Sequence, residues 1–336
     1  MRPGWFATAS TWIGERLHDA GLSATGPIEQ LNNWGISCVL RVPTAAGDHF
    51  FKAIPSGSGN APVAGAGLLF ANEPALLAAL AARFPEHVPA PLAVDRERRW
   101  QLLADDGPPL AEYRDYALWE QTMRAFARLQ VASVGQVDDL LQVGCLDRRP
   151  QSLPAEIDPL LADPNARDTI GADELTRLGA LAPRLRSACA ELADFGVPPT
   201  LVHGDLHAAN IAVRDGDITF FDWTDACVAH PFIDVPLLLQ DAGRVLAEPD
   251  AGAKLREAYL SEWTAFVPIE RLREAYAVAE PVVALHHAVS YRHIVASVDP
   301  VSVLAFRYGI DLWLRALLTS LTGADADRPK AADLSV

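Results

Sequence analysis

The sequence predicts an α+β protein with a small, mainly β N-terminal lobe and a larger, mainly helical C-terminal lobe. Short strand-like runs separated by turn-prone residues fill most of the chain as far as residue 104. Longer segments with apolar residues at three-to-four spacing follow. The change falls at residues 106–109, which predicts lobes at residues 1–106 and 107–323 and a flexible tail at 324–336.

The N-terminal lobe is predicted to begin with a helix and to continue as a β-sheet. Trp12, Ile13 and Leu17 recur at helical spacing, which predicts a helix at residues 11–20. Strands are predicted at residues 28–32, 38–42, 49–54, 92–94 and 100–103. Between the third and fourth strands, a Gly/Ser/Ala/Pro-rich stretch at 55–67 predicts a flexible linker, and Ala and Leu at 70–83 predict a helix.

The C-terminal lobe is predicted to be helical apart from one β-rich island. Helices are predicted at residues 111–131 and 172–195, and again from about residue 224 to residue 321. The island spans residues 198–223. Within it, Asp215-Gly216 lies between two apolar runs, which is a strong signal for a β-hairpin.

Composition narrows the classes of function. The chain has 336 residues and a formal net charge of −15, and such a surface repels the phosphates of nucleic acids. The acidic surface could favour a cationic ligand, with general solubility as the alternative. No apolar run is long enough to span a membrane and no signal peptide is evident, so a cytoplasmic location is expected. The four cysteines form no CxxC pair, which is typical of reduced thiols.

The strongest chemical signal is a short segment in the second half of the chain. It reads Leu201-Val-His-Gly-Asp-Leu-His-Ala-Ala-Asn-Ile211, and a strand-like run ending at Asp222 follows it. A His-x-Asp-x-x-x-x-Asn loop before a strand that ends in Asp is the layout of a kinase catalytic loop and its metal-binding strand. Phosphoryl transfer needs a proton acceptor and hard oxygen ligands for Mg²⁺. Asp205 is therefore the predicted base, and Asn210 and Asp222 are the predicted metal ligands.

Two other interpretations of this segment compete with that one. The polar residues could be ordinary loop residues, although the complete set in the correct chain order makes this a weak explanation. Alternatively, His203, His207 and Asp222 could form a metal site for hydrolysis, since imidazoles suit zinc. Gly204 and the strand-like runs on both sides argue against the helix that would align the two histidines, and no HExxH pattern is present.

The segment resembles the aminoglycoside phosphotransferase family, which includes choline-kinase-like enzymes and shares the protein-kinase fold. In that family the loop typically reads His-Gly-Asp-x-x-x-x-Asn, as it does from His203 to Asn210. The metal strand of the family commonly ends in Asp-Trp or Asp-Phe followed by an acidic residue. Here Asp222-Trp223 is followed by Thr224, so no metal role is predicted for Asp225.

The resemblance implies roles for residues outside the loop. Lys52 on the third strand would contact the nucleotide phosphates, and Glu73 on the following helix would hold Lys52 through an ion pair. His203 would support the catalytic loop. Asp234, in a Pro-x-x-Asp segment, would brace the loop from the start of a helix, although a simple helix N-cap is nearly as good an explanation.

The remaining nucleotide contacts are predicted from position alone. The phosphate-covering loop would lie at residues 32–37, with Gly35 and Ser37 as contacts, although this loop lacks the GxGxxG pattern. The segment at residues 102–106 would form the hinge, where the backbone of Leu103 and Asp105 would contact the nucleotide base. No Walker GxxxxGK[ST] motif is present.

Together these features predict an enzyme that uses ATP (or GTP) and Mg²⁺ to phosphorylate a hydroxyl group of a small molecule. The acidic surface leaves a cationic acceptor open, and neither nucleic acid nor membrane is an expected partner. The sequence does not predict the oligomeric state. Residues that could line the acceptor site lie on a late helical segment: His286, His287, Tyr291 and His293. For the histidines, core or surface positions are the simpler explanation.

A noncatalytic pseudokinase that senses nucleotide or acts as a scaffold is the rival hypothesis. Pseudokinases usually lose the lysine, the base or the metal-binding aspartate, whereas this chain retains all three. A protein kinase is disfavoured because no APE-type segment or long activation loop separates Asp222 from Pro231.

Overall fold

The computed structural model describes residues 3–33, 35–54, 72–298 and 300–323. Two predictions, the linker at 55–67 and the tail at 324–336, lie outside the described residues. Within the described ranges, no helix is both long enough and apolar enough to cross a membrane.

The N-terminal lobe contains a five-stranded antiparallel sheet in the order β1-β2-β3-β5-β4. Helix α1 precedes this sheet, and helix α2 lies between β3 and β4 in the chain. The bounds are α1 Trp5–Asp19, β1 Glu29–Asn33, β2 Cys38–Thr44, β3 Gly47–Ala53, α2 Glu73–Arg83, β4 Ala93–Asp95 and β5 Trp100–Ala104. Helix α1 begins before the predicted residue 11, since Trp5 and Ala9 extend its apolar face.

Helix α1 and the sheet share a separate apolar cluster rich in aromatic rings. The Phe51 ring packs edge-on against Trp12 and Trp100, with ring centroids 5.7 and 5.3 Å apart. Successive side chains of a strand point to opposite faces. Because Phe51 is buried in this cluster, its neighbour Lys52 points to the other face of the sheet, where its contacts include Glu73 of α2.

The C-terminal lobe contains nine helices among the described residues and two small sheets. The helices are α3 Tyr116–Ser133, α4 Val137–Gln142, α5 Ile157–Leu161, α6 Pro164–Ile170, α7 Ala172–Asp194, α8 Val235–Val245, α9 Ala251–Ser261, α10 Ile269–Ser297 and α11 Pro300–Thr322. A three-stranded sheet has the order β6-β10-β7, and β8 pairs with β9 as the predicted hairpin. The strands are β6 Leu146–Asp147, β7 Thr200–Val202, β8 Ile211–Arg214, β9 Asp217–Phe220 and β10 Cys227–Ala229.

The small antiparallel sheet and the mainly helical remainder confirm the predicted α+β, two-lobed, kinase-like fold. The predicted helix at 111–131 is wrong at its start, because the chain first makes a 3₁₀ turn at Leu110–Glu112. Helix α3 then begins at Tyr116, where the Asp115 side chain accepts a hydrogen bond from the Ala117 N–H at 2.9 Å. The prediction also missed β6 and β10, which are too short to show a periodic pattern.

The large apolar core of the protein extends from the C-terminal lobe into α2. Leu76, Leu77 and Leu80 of α2 belong to the same buried cluster as Trp119 and Phe126 of α3. Consequently, the helix that carries Glu73 is packed against the C-terminal lobe.

Candidate active site

The predicted catalytic loop, residues 203–210, is held from below by a buried carboxylate. Asp234 Oδ2 accepts a hydrogen bond from the His203 N–H and Oδ1 accepts one from the Gly204 N–H, each at 2.8 Å. Asp234 occupies the N-cap position of α8, but its side chain makes no capping bond there and instead braces the loop. Burial raises the pKa of Asp234 to about 7, against the effect of these two backbone N–H groups.

Further buried residues hold this brace in place. Gln130 of α3 lies beneath the loop, with Nε2 at 3.4 Å from Asp234 Oδ2 and 3.2 Å from the Leu201 carbonyl. The Tyr259 hydroxyl donates to Gln130 Oε1 and lies 3.0 Å from the Pro231 carbonyl. These contacts link the loop to α3 and α9, and neither Gln130 nor Tyr259 belongs to a recognisable sequence motif.

Both carboxylate oxygens of Asp205 have partners inside the loop. His207 Nε2 lies 3.2 Å from Oδ1, and the Asn210 amide nitrogen lies 3.4 Å from Oδ2 and donates to the Asp205 carbonyl at 2.9 Å. Partial desolvation alone would raise the pKa of Asp205, but the hydrogen bond and the charge of His207 lower it to about 2. Asp205 is therefore ionised at neutral pH, with its side chain 46% exposed.

His207 is itself held by a second carboxylate. Its Nδ1 lies 3.4 Å from Asp241 Oδ2, and the same oxygen accepts the Ala208 N–H at 2.8 Å. Burial alone would lower the pKa of His207, but Asp205 and Asp241 raise it to about 10. Asp241 was not predicted as a site residue, although it follows Asp234 by seven residues, a spacing that places both near one helix face.

The hairpin β8–β9 carries Asp222 back to the catalytic loop. The Phe221 N–H donates to the Asn210 carbonyl at 3.0 Å, and the ring Nε2 of His203 bonds to the Phe221 carbonyl at 2.8 Å. Burial lowers the pKa of His203, so its ring is neutral and donates this bond. Asp222 adopts a left-handed backbone with φ of 61°, a strained conformation that is common at functional sites.

Lys52 joins the two lobes through ion pairs with Glu73 and Asp222. Its Nζ lies 2.9 Å from Glu73 Oε2 and 2.6 Å from Asp222 Oδ1. Burial alone would lower the pKa of Lys52, but the charges of Asp222 and Glu73 raise it above its ordinary value. Lys52 therefore stays protonated, and residues predicted separately on β3, α2 and the end of β9 meet at one ammonium group.

Asp225 is a third acidic residue whose pKa responds to the charges of Asp205 and Asp222. Burial and the negative charges of those two residues raise the pKa of Asp225 well above its ordinary value. The Thr224 hydroxyl donates to Asp222 at 2.7 Å and lies 3.3 Å from Asp225. A bound divalent cation would relieve this crowding of negative charge, and the carboxylate and amide oxygens of Asp222 and Asn210 are the hard donors that Mg²⁺ prefers.

The other residues predicted to contact the nucleotide lie in the N-terminal sheet and its loops or directly after it. Gly35, between β1 and β2, has a left-handed φ of 80°, and Ser37 is buried. Leu103 is paired with Phe50 in the β3–β5 ladder. The Asp105 carboxylate accepts the Gly107 N–H at 3.1 Å and pairs with Arg214 at 3.0 Å, so its side chain ties the segment after β5 to the β8–β9 hairpin.

The late histidines are buried in α10. His293 lies between Arg148, at 3.2 Å from Nδ1, and Glu156, at 3.3 Å from Nε2. Burial lowers the pKa of His287 to about 4, against the effect of the Asp205 charge. The hydrolytic metal site has no support in the structure. The His203 ring bonds to the Phe221 carbonyl, and the His207 ring contacts Asp205 and Asp241. In the described ranges, no group of three or more His, Cys, Asp or Glu side chains is arranged to hold a metal.

Solved structures share this architecture. The choline kinase LicA from Streptococcus pneumoniae is 12% identical, with a TM-score of 0.61 over 94% of this chain and 100% of that chain. Macrolide 2'-phosphotransferase type I is 16% identical, with a TM-score of 0.58 over 90% and 96%. The amicoumacin kinase hAmiN, solved in complex with AMP-PNP, Ca²⁺ and Ami, is 15% identical, with a TM-score of 0.51 over 90% and 95%. At these identities the likeness shows the fold alone.

The family of the chain is identified from its sequence. No curated protein matches the chain. The family model described as "Phosphotransferase enzyme family" matches residues 62–282, which contain Glu73, the whole catalytic loop, Asp222 and Asp234. This match covers well over half of the chain and confirms the family predicted from the catalytic loop: the chain belongs to the phosphotransferase enzyme family.

Proposed function

We propose that this protein transfers the γ-phosphoryl group of ATP, or GTP, to a hydroxyl group of a small molecule, with Asp205 as the base. The observation that carries the proposal is the contact of Lys52 with both Glu73 and Asp222, opposite a catalytic loop in which Asp205 is ionised. Family membership and a similarly folded kinase solved with AMP-PNP and Ca²⁺ add support for a nucleotide and a divalent cation.

Each residue has a stated task in this proposal. Asp205 accepts a hydrogen bond from the acceptor hydroxyl and takes its proton as the new P–O bond forms, and the nucleoside diphosphate leaves with the electron pair of the broken bond. Lys52, oriented by Glu73, binds the nucleotide phosphates. Mg²⁺ held by Asn210 and Asp222 would neutralise negative charge on those phosphates. The lobe boundary near residue 106 would place the nucleotide base beside Leu103 and Asp105.

A thermal-shift titration with ATP, GTP and ADP, with and without Mg²⁺, tests the nucleotide site. A ligand at 100 times its Kd stabilises the folded protein by about 2.7 kcal/mol, so saturating nucleotide with Mg²⁺ should raise Tm measurably. Asp222→Ala should lose the Mg²⁺-dependent part of this shift. No shift with any nucleotide, in a folded wild-type protein, would contradict the proposal.

The Asp205→Asn variant distinguishes the hypothesis of an active phosphotransferase from that of a noncatalytic pseudokinase. A positioned base contributes about 10²–10⁴ in rate. The variant should lose most phosphotransfer, measured by ADP release with a panel of hydroxyl acceptors, while it keeps nucleotide affinity. Asp215→Asn on the exposed hairpin turn is the matched control and should change neither quantity. Nucleotide binding by the wild type without transfer to any acceptor would favour the pseudokinase.

A further inference from the structure

The segment between α2 and β4 contacts β9, the strand that leads to Asp222. In the described ranges, the only strand partner of β9 is β8, so its other edge is open. On that edge the Phe220 N–H donates to the His87 carbonyl at 2.8 Å, and His87 Nδ1 lies 3.1 Å from the Ile218 carbonyl oxygen. A carbonyl only accepts, so Nδ1 carries the proton and donates. His87 thus makes the two hydrogen bonds that a neighbouring strand would make there.

The His87 ring also packs against β9. It lies edge-on to the Phe220 ring, with centroids 5.9 Å apart, and Phe220 in turn packs against Phe126 of α3 at 5.0 Å. Phe220 is fully buried, whereas His87 is half-buried. The packing on Phe220 restricts the ring of His87 and keeps Nδ1 directed at the Ile218 carbonyl.

Backbone hydrogen bonds fix His87 relative to α2. The N–H groups of His87 and Val88 both donate to the Phe84 carbonyl at 3.0 Å, and the Phe84 N–H donates to the Leu80 carbonyl at 2.8 Å, in the last turn of α2. Val88 is buried in the same large core as Leu80. Because α2 is a continuous helix, the place of its first residue, Glu73, is tied to that of His87.

Lys52 closes a ring of contacts that runs through His87. Glu73 lies 2.9 Å from Lys52 Nζ, and Asp222, two residues beyond Phe220, lies 2.6 Å from the same nitrogen. His87 joins the far end of α2 to β9, so the two carboxylates are carried by elements that are bonded to each other. The left-handed backbone of Asp222 is a strained conformation, which persists only where the surrounding structure holds it.

We propose that His87 is a positioning residue of the phosphotransfer site. By holding β9 to the segment after α2, it sets the place of Asp222 relative to Glu73 and Lys52. The inference rests on the proposed function, in which Asp222 is a ligand of Mg²⁺, and it adds a residue that acts on this ligand through β9 and lies outside the catalytic-loop motif.

Calorimetric titration of ATP over a range of Mg²⁺ concentrations tests the positioning role. His87→Phe keeps a ring and loses the donor, whereas His87→Asn keeps an N–H donor close to the place of Nδ1. The Mg²⁺ concentration for half-maximal nucleotide affinity should rise about two- to twelvefold in His87→Phe, the factor that corresponds to one lost hydrogen bond. In His87→Asn it should stay within about twofold of the wild type. A purely structural role would lower Tm and leave this Mg²⁺ concentration unchanged, and that result would overturn the inference.

Amide hydrogen exchange tests the contact without nucleotide. The Phe221 N–H directly precedes Asp222 and donates to the Asn210 carbonyl at 3.0 Å. His87→Phe should speed the exchange of this amide by a similar factor, measured by NMR, and His87→Asn should restore it. His18→Phe makes the same substitution at the exposed end of α1 and should leave the exchange unchanged. An unchanged rate in folded His87→Phe also overturns the inference.

Thermal unfolding checks that the variants fold, and His87→Ala is the substitute if His87→Phe does not. The two readouts separate the two proposals. Faster exchange in the His87 variant, with no nucleotide binding by the wild type, would leave the contact and remove the phosphotransfer. Nucleotide binding with the same Mg²⁺ dependence in the variant and the wild type would leave the phosphotransfer and remove the positioning role.

Discussion

At the scale of single residues, the proposed base depends on a relay that reaches α8. Asp205 Oδ1 lies 3.2 Å from His207 Nε2, and His207 Nδ1 lies 3.4 Å from Asp241. An imidazolium between two carboxylates holds the orientation of Asp205 and keeps it ionised. The contact with His207 therefore fixes the position of Asp205 and makes it a weaker base. This suits a reaction that relies mainly on the positioning of the reacting groups.

His207→Gln should reduce the free energy of unfolding by roughly 1–3 kcal/mol near pH 6, because it removes a charged hydrogen bond to a partly exposed partner. The folded pKa of about 10 lies above the ordinary 6.5. The stabilisation is therefore complete below pH 6.5 and disappears as the pH rises through 10. Denaturant unfolding of both proteins between pH 6 and pH 10 measures this convergence.

The control is His18→Gln, which makes the same change of residue type at the exposed end of α1. It should change the free energy of unfolding little. A difference between wild type and His207→Gln that stays constant or grows from pH 6 to pH 10 would contradict the ion-pair assignment.

At the scale of elements, the glycine of the catalytic loop is required by a close approach of two chain segments. Gly204 has a φ of +85°, and a Cβ built there would lie 2.4 Å from the Asp225 carbonyl oxygen. The loop therefore packs directly on the turn that follows β9. This contact explains in physical terms why the position after His203 holds glycine and not a larger residue.

Gly204→Ala should destabilise the protein through both strain and contact. A left-handed backbone costs an L-residue about 1–2 kcal/mol, and forcing a methyl group into a packed site adds roughly 1–3 kcal/mol. Gly135→Ala isolates the first contribution, because Gly135 has nearly the same φ, +84°, and nothing within 4 Å of its added Cβ. Equal losses for the two variants in denaturant unfolding would show that the close approach costs nothing.

At the scale of the whole molecule, a small apolar cluster ties the sheet lobe to the end of α10. Ile54, directly after β3, belongs to one buried cluster with Ile294 and Val298. Ile36, in the predicted phosphate-covering loop, packs against the same cluster. The two lobes are thus joined by the apolar contacts of this cluster and by the Lys52–Asp222 ion pair.

A double-mutant cycle measures this connection. Ile54→Ala and Ile294→Ala remove groups from the same cluster, so their effects on the free energy of unfolding should deviate from additivity by at least about 0.5 kcal/mol. Ile170 of α6 is buried in the large core and not in this cluster. Ile54→Ala and Ile170→Ala should therefore add within about 0.5 kcal/mol. Additivity of both pairs would mean that the cluster does not couple the lobes.

Several features of the protein follow from the sequence alone, because they depend on neighbouring residues. The Asp215-Gly216 turn predicts its hairpin since both residues tolerate positive φ, and they have φ values of 55° and 92°. The spacing within the catalytic loop fixes Asp205 and Asn210 on one short segment. The family and the α+β fold class also follow from these local signals.

Other features were decided only by the tertiary structure. Lys52 and Asp222 are 170 residues apart, and their contact depends on how the two lobes pack. The same holds for the contact of Asp241 with His207 and for the place of α2 in the large core. Local propensities act over a few residues, whereas each of these features is set by packing between elements that are distant in the chain. For this reason the sequence could predict the residues of the proposed phosphotransfer chemistry, and only the folded chain could bring Lys52 to Asp222.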